Sequence, residues 1–251
     1  MITKKKYNGW HCYYKEVKFI SIFEQLCSGK LEVLEIFKNS PPHTKVMLVN
    51  TCSGPLVVKI YSPKKKTVEK FFKSIFLGSY NENLIYQIDS ARNVGITIPN
   101  DYYFLAERRV FRFARVVVMF FEYIPGPLVS DFGWIPDNIK NEICTIMKSM
   151  NRVGIISSDP HSRNFIVSEG QVRAIDLSGK KYSAKRVAED NILLEKYYSI
   201  PVEKGGMYQL INFRHKLRGA ARIIRSLLSA AIFRRNSVYA KKYPAIHSVK
   251  R

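Results

Sequence analysis

A proline-glycine-proline break, Pro125-Gly126-Pro127, separates two halves of differing pattern. Ahead of it the apolar runs are short and rich in β-branched and aromatic residues. Residues 46–50 and 56–61 read as strands joined through Cys52-Ser53-Gly54-Pro55, a turn carrying both strong punctuators. Residues 31–37, LEVLEIF, suit strand or helix by pattern alone, and the strand-like runs that follow favour strand. The loop 39–44, NSPPHT, joins it to the next run. Helical periodicity then marks 67–77 and 80–93, stopped by Gly95 and Pro99, and two further strands are expected around 102–105 and 115–123. Residues 1–29 read only as a basic, aromatic segment. Beyond the break the period changes to that of a helix, with Ile139, Ile143, Ile146, Met147 and Met150 on one stripe. This ordering predicts an α+β chain: a β-rich part over 1–124 and a mainly helical part over 125–251.

Within the second half, residues 157–176 hold the densest chemistry. Asp159 sits in a polar loop marked by Pro160, and Asn164 opens an apolar run that turns at Glu169-Gly170 and returns to Asp176. That is a short hairpin with acidic or amide groups at its open end. Two carboxylates and an amide around one space suit a hard, oxygen-preferring cation such as Mg²⁺ better than zinc or copper.

Charge is the loudest bulk signal. The 251 residues carry 41 Lys and Arg against 20 Asp and Glu, for a net charge of +21. Residues 204–251 hold twelve of the cations and no acid. A polyanionic partner is implied, whether nucleic acid, an anionic membrane surface or an acidic glycolipid. Over about 207–233, Leu210, Phe213, Leu217, Ala220 and Ile224 form an apolar stripe, with Arg214, Arg218, Arg222 and Arg225 mostly off it. The helix therefore either packs on the helical part or lies on a membrane. Tyr208, Phe213 and Phe233 among the cations leave a nucleic-acid-binding module as a competing reading, disfavoured because the stripe suits a core or a bilayer better than base stacking. No apolar h-region follows the N-terminal lysines, and 116–121 is too short to span a bilayer, so a cytoplasmic protein is expected. Cys12, Cys27, Cys52 and Cys144 have neither metal-site spacing nor the density of a disulfide framework.

The order of these elements resembles the protein kinase-like superfamily, with a two-lobed fold. Asp159 and Asn164 have the spacing of D-x-x-x-x-N in a kinase catalytic loop, and Asp176 follows where the metal-binding aspartate of D-F-G belongs. Lys59, in LVVKIY, stands where the third-strand lysine of V-A-I-K is found, and Glu82 is its expected ion-pair partner. The backbone of Glu122-Tyr123-Ile124 is the expected hinge for adenine. Asp131-Phe132-Gly133 spells D-F-G but precedes the catalytic loop, and reads as a turn.

Departures point away from protein substrates. Ser157 replaces the catalytic-loop histidine, SPPHT replaces the glycine-rich loop, and no A-P-E follows Asp176-Leu177-Ser178-Gly179. Asp159, His161 and Asn164 form D-x-H-x-x-N, as in small-molecule kinases. With the GIISSDPHSRNFIV and AIDLSGK stretches, the chain resembles the bacterial lipopolysaccharide core heptose kinases, most closely those acting on heptose II. The resemblance implies ATP and Mg²⁺ as cofactors, with Asn164 and Asp176 on metal, Lys59 on the α/β-phosphates and Asp159 as base toward the sugar hydroxyl. The acceptor is then a lipopolysaccharide core glycolipid at the cytoplasmic face of the inner membrane. His161 either contacts a phosphate or braces its loop; Asp190 either supports the catalytic loop from beneath or is a surface group. A turnover-free pseudokinase, or a kinase for another sugar or protein hydroxyl, is the alternative.

Overall fold

Asn8 and Gly9 both take left-handed backbone angles, φ 44° and 78°. An Asn-Gly pair in that conformation is the strongest short hairpin signal. It joins β1 (Thr3–Tyr7) to β2 (Trp10–Tyr14), which are paired from Thr3↔Tyr14 to Tyr7↔Trp10. Helix α1 (Lys18–Cys27) follows. The segment read only as basic and aromatic is thus a hairpin and a helix, and its Asn-Gly turn was visible in the sequence. The computed structural model describes residues 1–40, 44–62, 79–111 and 113–242, with backbone only at 227, 228 and 230–242. The helix expected over 67–77, and the tip of the 39–44 loop, lie outside the described residues.

The expected strands are β3 (Glu32–Ser40), β4 (Thr44–Asn50) and β5 (Leu56–Tyr61), followed by helix α2 (Tyr80–Asn93). Strands β6 (Tyr102–Val110) and β7 (Phe113–Glu122) form a hairpin and are longer than the apolar pattern indicated. The reason is ion pairing. Glu107 is fully buried yet meets Arg109 at 2.5 Å, and Ser79 Oγ and Asn81 Nδ2 donate to its other oxygen at 2.6 and 2.8 Å. Strong mutual satisfaction lets a charged strand continue through the interior. The seven strands form one antiparallel sheet, β1-β2-β6-β7-β5-β4-β3.

Strand alternation gives this sheet two apolar faces. Phe104 and Phe120, directly opposite in register, stack at 4.8 Å on the outer face, and Phe23 of α1 packs on Phe104 at 5.1 Å. On the inner face Tyr102, Leu105, Val117, Met119 and Phe121 join Leu84, Ile85 and Ile88 of α2 in a core that continues into the second half of the chain. There α3 (Asp137–Arg152) buries the expected stripe of Ile139, Ile143, Ile146, Met147 and Met150. The hairpin of β8 (Phe165–Ser168) and β9 (Gln171–Ala174) turns at Glu169 and Gly170, both left-handed. Asn100 N donates to Ala174 O along one edge of the hairpin, and Val167 N donates to Pro127 O along the other. Gly126 is required there: at φ 138° a Cβ would stand 2.1 Å from Val167 O. Helix α4 (Ala184–Tyr198) follows, capped by the Ser183 hydroxyl.

The chain divides into two compact units, Met1–Val202 and Glu203–Arg251. The second contains one long helix, α5 (Gly206–Lys242), with Leu210, Phe213, Leu217 and Ile224 between 54% and 62% exposed. No helix among the described residues is long and apolar enough to cross a membrane.

Candidate active site

Lys59 lies between Val58 and Ile60 on β5, so alternation sends its side chain to the sheet face opposite α1. Its Nζ pairs with Asp176 Oδ1. Asp176 lies two residues beyond the end of β9 and adopts φ 53°, a left-handed turn that ends the hairpin. Ile175 N donates to Asn164 O at 2.9 Å, which fixes the two ends of the hairpin beside each other. Asn164 Nδ2 in turn donates to Asp159 O at 2.8 Å, and His161 N donates to the same carbonyl at 2.8 Å. Lys59 is thereby joined to Asp176, Asp176 to Asn164 through one peptide, and Asn164 to Asp159.

The loop is held from below by Asp190 of α4. Its Oδ2 accepts from Ser157 N at 3.1 Å and Ser158 N at 3.2 Å. Ser158 is left-handed at φ 65°, so this carboxylate holds a strained turn immediately before Asp159. Burial pushes the Asp190 pKa up to about 6, against the lowering effect of those two N–H groups. A folded-state pKa above the unfolded value makes the native state the stronger proton binder. The stabilisation from protonation is therefore complete below about pH 4, is lost as pH rises toward 6, and spans about 3 kcal/mol. Asp190→Asn removes this titration. Denaturant melts at pH 4.5 and 7.5 are expected to show the native chain gaining stability relative to the variant at the lower pH; an unchanged difference excludes Asp190 as the buried titrating group.

His161 braces its loop. Nδ1 accepts from Arg163 N at 3.3 Å, capping the 3-10 turn Ser162–Asn164, and the ring packs edge-on against Tyr197 at 5.1 Å. Asp131 caps a 3-10 turn over Val129–Asp131 by accepting from Leu128 N at 3.0 Å, and so the literal D-F-G is a structural turn.

Glu82 requires correction: it does not pair with Lys59. The third residue of α2, it accepts from Tyr13 Oη at 2.7 Å, Arg109 at 3.1 Å and Lys4 at 3.4 Å. Partial burial disfavours its charge, but the hydrogen bonds from Tyr13 and Arg109 outweigh that and hold its pKa below the ordinary value. The helix begins at Ser79, whose hydroxyl caps Glu82 N, and that phase turns Glu82 toward β2 and β6 instead of β5. Asn81 is the residue that reaches β5, accepting from Tyr61 Oη at 2.8 Å. Glu122 is also occupied as a side chain: Arg92, Arg173 and Asp101 N donate to Oε2 at 2.8, 2.9 and 2.8 Å. Its own N–H bonds Asp101 O, so any N–H offered to an adenine edge in this stretch comes from Tyr123 or Ile124.

Sequence reasoning missed two participants. Ser178 bridges back to the segment before Asp159, with Oγ 2.9 Å from Ser158 Oγ and 3.3 Å from Ile156 O. Gly179 lies against α2 so closely that a Cβ would stand 1.6 Å from Tyr80 O. No cluster of three or more His, Cys, Asp or Glu able to hold a metal occurs among the described residues. One carboxylate with an amide oxygen, completed by phosphates, is nevertheless a donor set that suits Mg²⁺. Because Asn164 spends its Nδ2 on the loop, its side-chain oxygen remains for such a cation.

Residues 1–227 match the family described as lipopolysaccharide core biosynthesis protein (WaaY). The chain belongs to the WaaY family. It is 40% identical over 222 residues to the lipopolysaccharide core heptose(II) kinase WaaY of Escherichia coli, covering 87% of this chain and 96% of that protein. The corresponding protein of E. coli strain K12 is 41% identical over 206 residues, covering 82% and 88% of the two chains. Asp159, Asn164 and Asp176 all lie within the span matched by the WaaY family. The structure is also similar to the PknI kinase domain of Mycobacterium tuberculosis, at 12% identity and a TM-score of 0.45 over 70% of this chain and 75% of that one.

Proposed function

We propose that this chain transfers the γ-phosphoryl group of ATP to a hydroxyl of heptose II in the inner core of lipopolysaccharide. The observation that carries the reading is the junction of Lys59, from the sheet, with Asp176, beyond the hairpin, while Asn164 is folded onto Asp159. Phosphoryl transfer has a loose transition state, so positioning and charge neutralisation supply most of the catalysis. Bound Mg²⁺ supplies neutralisation of the charge that develops on the transferring oxygens. Asp176 and the Asn164 side-chain oxygen are the residues to hold it, and Lys59 the cation for the α/β-phosphates. Asp159 orients the sugar hydroxyl and takes its proton late, leaving a neutral carboxylic acid. The hinge backbone at Glu122 and Ile124 receives adenine. In this reading 1–124 is the nucleotide lobe and 125–251 carries catalysis and the tail.

The acceptor is anionic and anchored in a membrane, and α5 suits that location. Its apolar Leu210, Phe213, Leu217 and Ile224 are exposed beside a dense set of arginines, the composition of a helix lying in a bilayer interface. The enzyme then works on the cytoplasmic face of the inner membrane through residues 204–251. Incubated with ATP, Mg²⁺ and purified core oligosaccharide, the chain is expected to add one phosphate that tandem mass spectrometry locates on heptose II. Phosphate on protein substrates alone, or on no sugar, overturns the reading.

A further inference from the structure

The outer face of the sheet is larger than the helix that covers it. Helix α1 has ten residues and runs about 15 Å. Strand β7 beneath it also has ten, but extends roughly 33 Å. Past the end of α1 the face opens into a cavity of about 410 Å³. That lies within the roughly 300–1,000 Å³ usual for small-ligand sites. Trp10, Phe23, Leu26, Met47, Ile60 and Val118 line it, and Lys45 is the one charged lining residue among those described. Ile60 neighbours Lys59 on β5, so the cavity opens on the opposite face from the phosphate site.

Its surroundings are amphiphilic. Val33, a lining residue of edge strand β3, is 44% exposed, and Ile36, opposite Met47 in register, is 49% exposed. They continue the apolar surface from the cavity to the sheet edge. Arg108 lies across β6 and β7 from the lining Val116 and is exposed. Neither Lys45 nor Arg108 has a carboxylate partner among the described residues. An apolar hollow favours an apolar occupant, and two unpaired cations beside it favour an anionic end on that occupant.

We propose that this cavity takes one fatty acyl chain of an anionic membrane lipid, whose headgroup is held by Lys45 and Arg108. A wholly apolar ligand would leave the cations without a partner, and a small anion would leave the hollow unfilled. The site gives the sheet region its own lipid contact, independent of α5 and of which sugar is phosphorylated.

The chain contains only two tryptophans, and one of them lines the cavity. Trp134 is 71% exposed and stacks under Lys140, so Trp134→Phe leaves Trp10 as sole reporter in the full chain. Vesicles of phosphatidylglycerol with brominated acyl chains are expected to quench Trp10 saturably. Lys45→Glu is expected to weaken that quenching at least tenfold in lipid concentration, and Ile60→Glu to remove it by placing a carboxylate against the acyl chain inside the apolar lining. In a series of soluble brominated fatty acids, each added methylene should tighten binding about fourfold until the cavity is full, then cease to do so. Vesicles that pellet the chain with Trp10 unquenched overturn the proposal, as does undiminished quenching in a folded Ile60→Glu chain. If that variant fails to fold, by circular dichroism, the chain-length series decides: a plateau supports the cavity, and an unbroken rise overturns it. No readout depends on phosphorylation, so this proposal and the kinase reading fail separately.

Discussion

Replacing Asp159 with Ala lowers turnover by about 10²–10⁴-fold while ATP still binds with near-native affinity. The separation is expected because the loop does not depend on the Asp159 side chain. Asn164 Nδ2 and His161 N both grasp the Asp159 carbonyl oxygen, which the substitution keeps, and Asp190 holds the two preceding N–H groups from beneath. Removing the carboxylate therefore removes a proton acceptor from a loop that keeps its shape. Asp176→Asn is the contrasting case: that carboxylate meets Lys59 and is the proposed metal ligand, so both Mg²⁺-dependent nucleotide affinity and turnover are expected to fall together. Titration calorimetry with Mg²⁺ and ATP, alongside steady-state rates, separates the two patterns. Near-native turnover in Asp159→Ala removes it from the role of base, and loss of nucleotide affinity in that variant assigns it to binding.

The parts of this site legible in the sequence are those set by local spacing. Asp159, Asn164 and Asp176 belong to one loop and one four-residue-stranded hairpin, whose turn at Glu169-Gly170 is dictated by backbone conformation. Order along the chain was therefore enough to bring them together, and the alternation of LVVKIY was enough to turn Lys59 away from the apolar outer face. The Glu82 pairing failed because it depends on helix phase. A start at Ser79 points residue 81 toward β5 and residue 82 toward Arg109, and one position along a helix is a rotation of 100°. Arg109 itself gave no warning, since a charged residue in a strand ordinarily marks a solvated edge; only the buried Glu107, two residues earlier on the same strand, explains it. Likewise Glu122 was read for its backbone, while its carboxylate gathers Arg92 and Arg173 from elements far apart in sequence. Such three-way partnerships leave no periodic trace.

Gly179→Ala is expected to be the most damaging glycine-to-alanine change among the described residues, and for a reason the sequence conceals. No left-handed angle requires glycine at this position; the constraint is space. A Cβ there would lie 1.6 Å from Tyr80 O and 2.8 Å from Leu84 N, both backbone atoms of the first turns of α2. Backbone cannot rotate aside as a side chain does. Either α2 withdraws, disturbing Leu84 and Ile85 in the core, or residues 176–179 move and carry Asp176 from Lys59. Overpacking of this kind costs about 3 kcal/mol, the upper part of its usual range. For a domain of this size that lowers the melting temperature by roughly 6–12 °C. Displacement of Asp176 by about 1 Å adds a loss of turnover near 10²-fold. Gly133→Ala is the control, since a Cβ there meets nothing within 4 Å and the backbone angle is ordinary. Thermal melts and rates for the two variants should therefore diverge sharply. If Gly179→Ala behaves like Gly133→Ala, the segment after Asp176 does not rest on α2, and the position of the Asp176 carboxylate must be set by the hairpin alone.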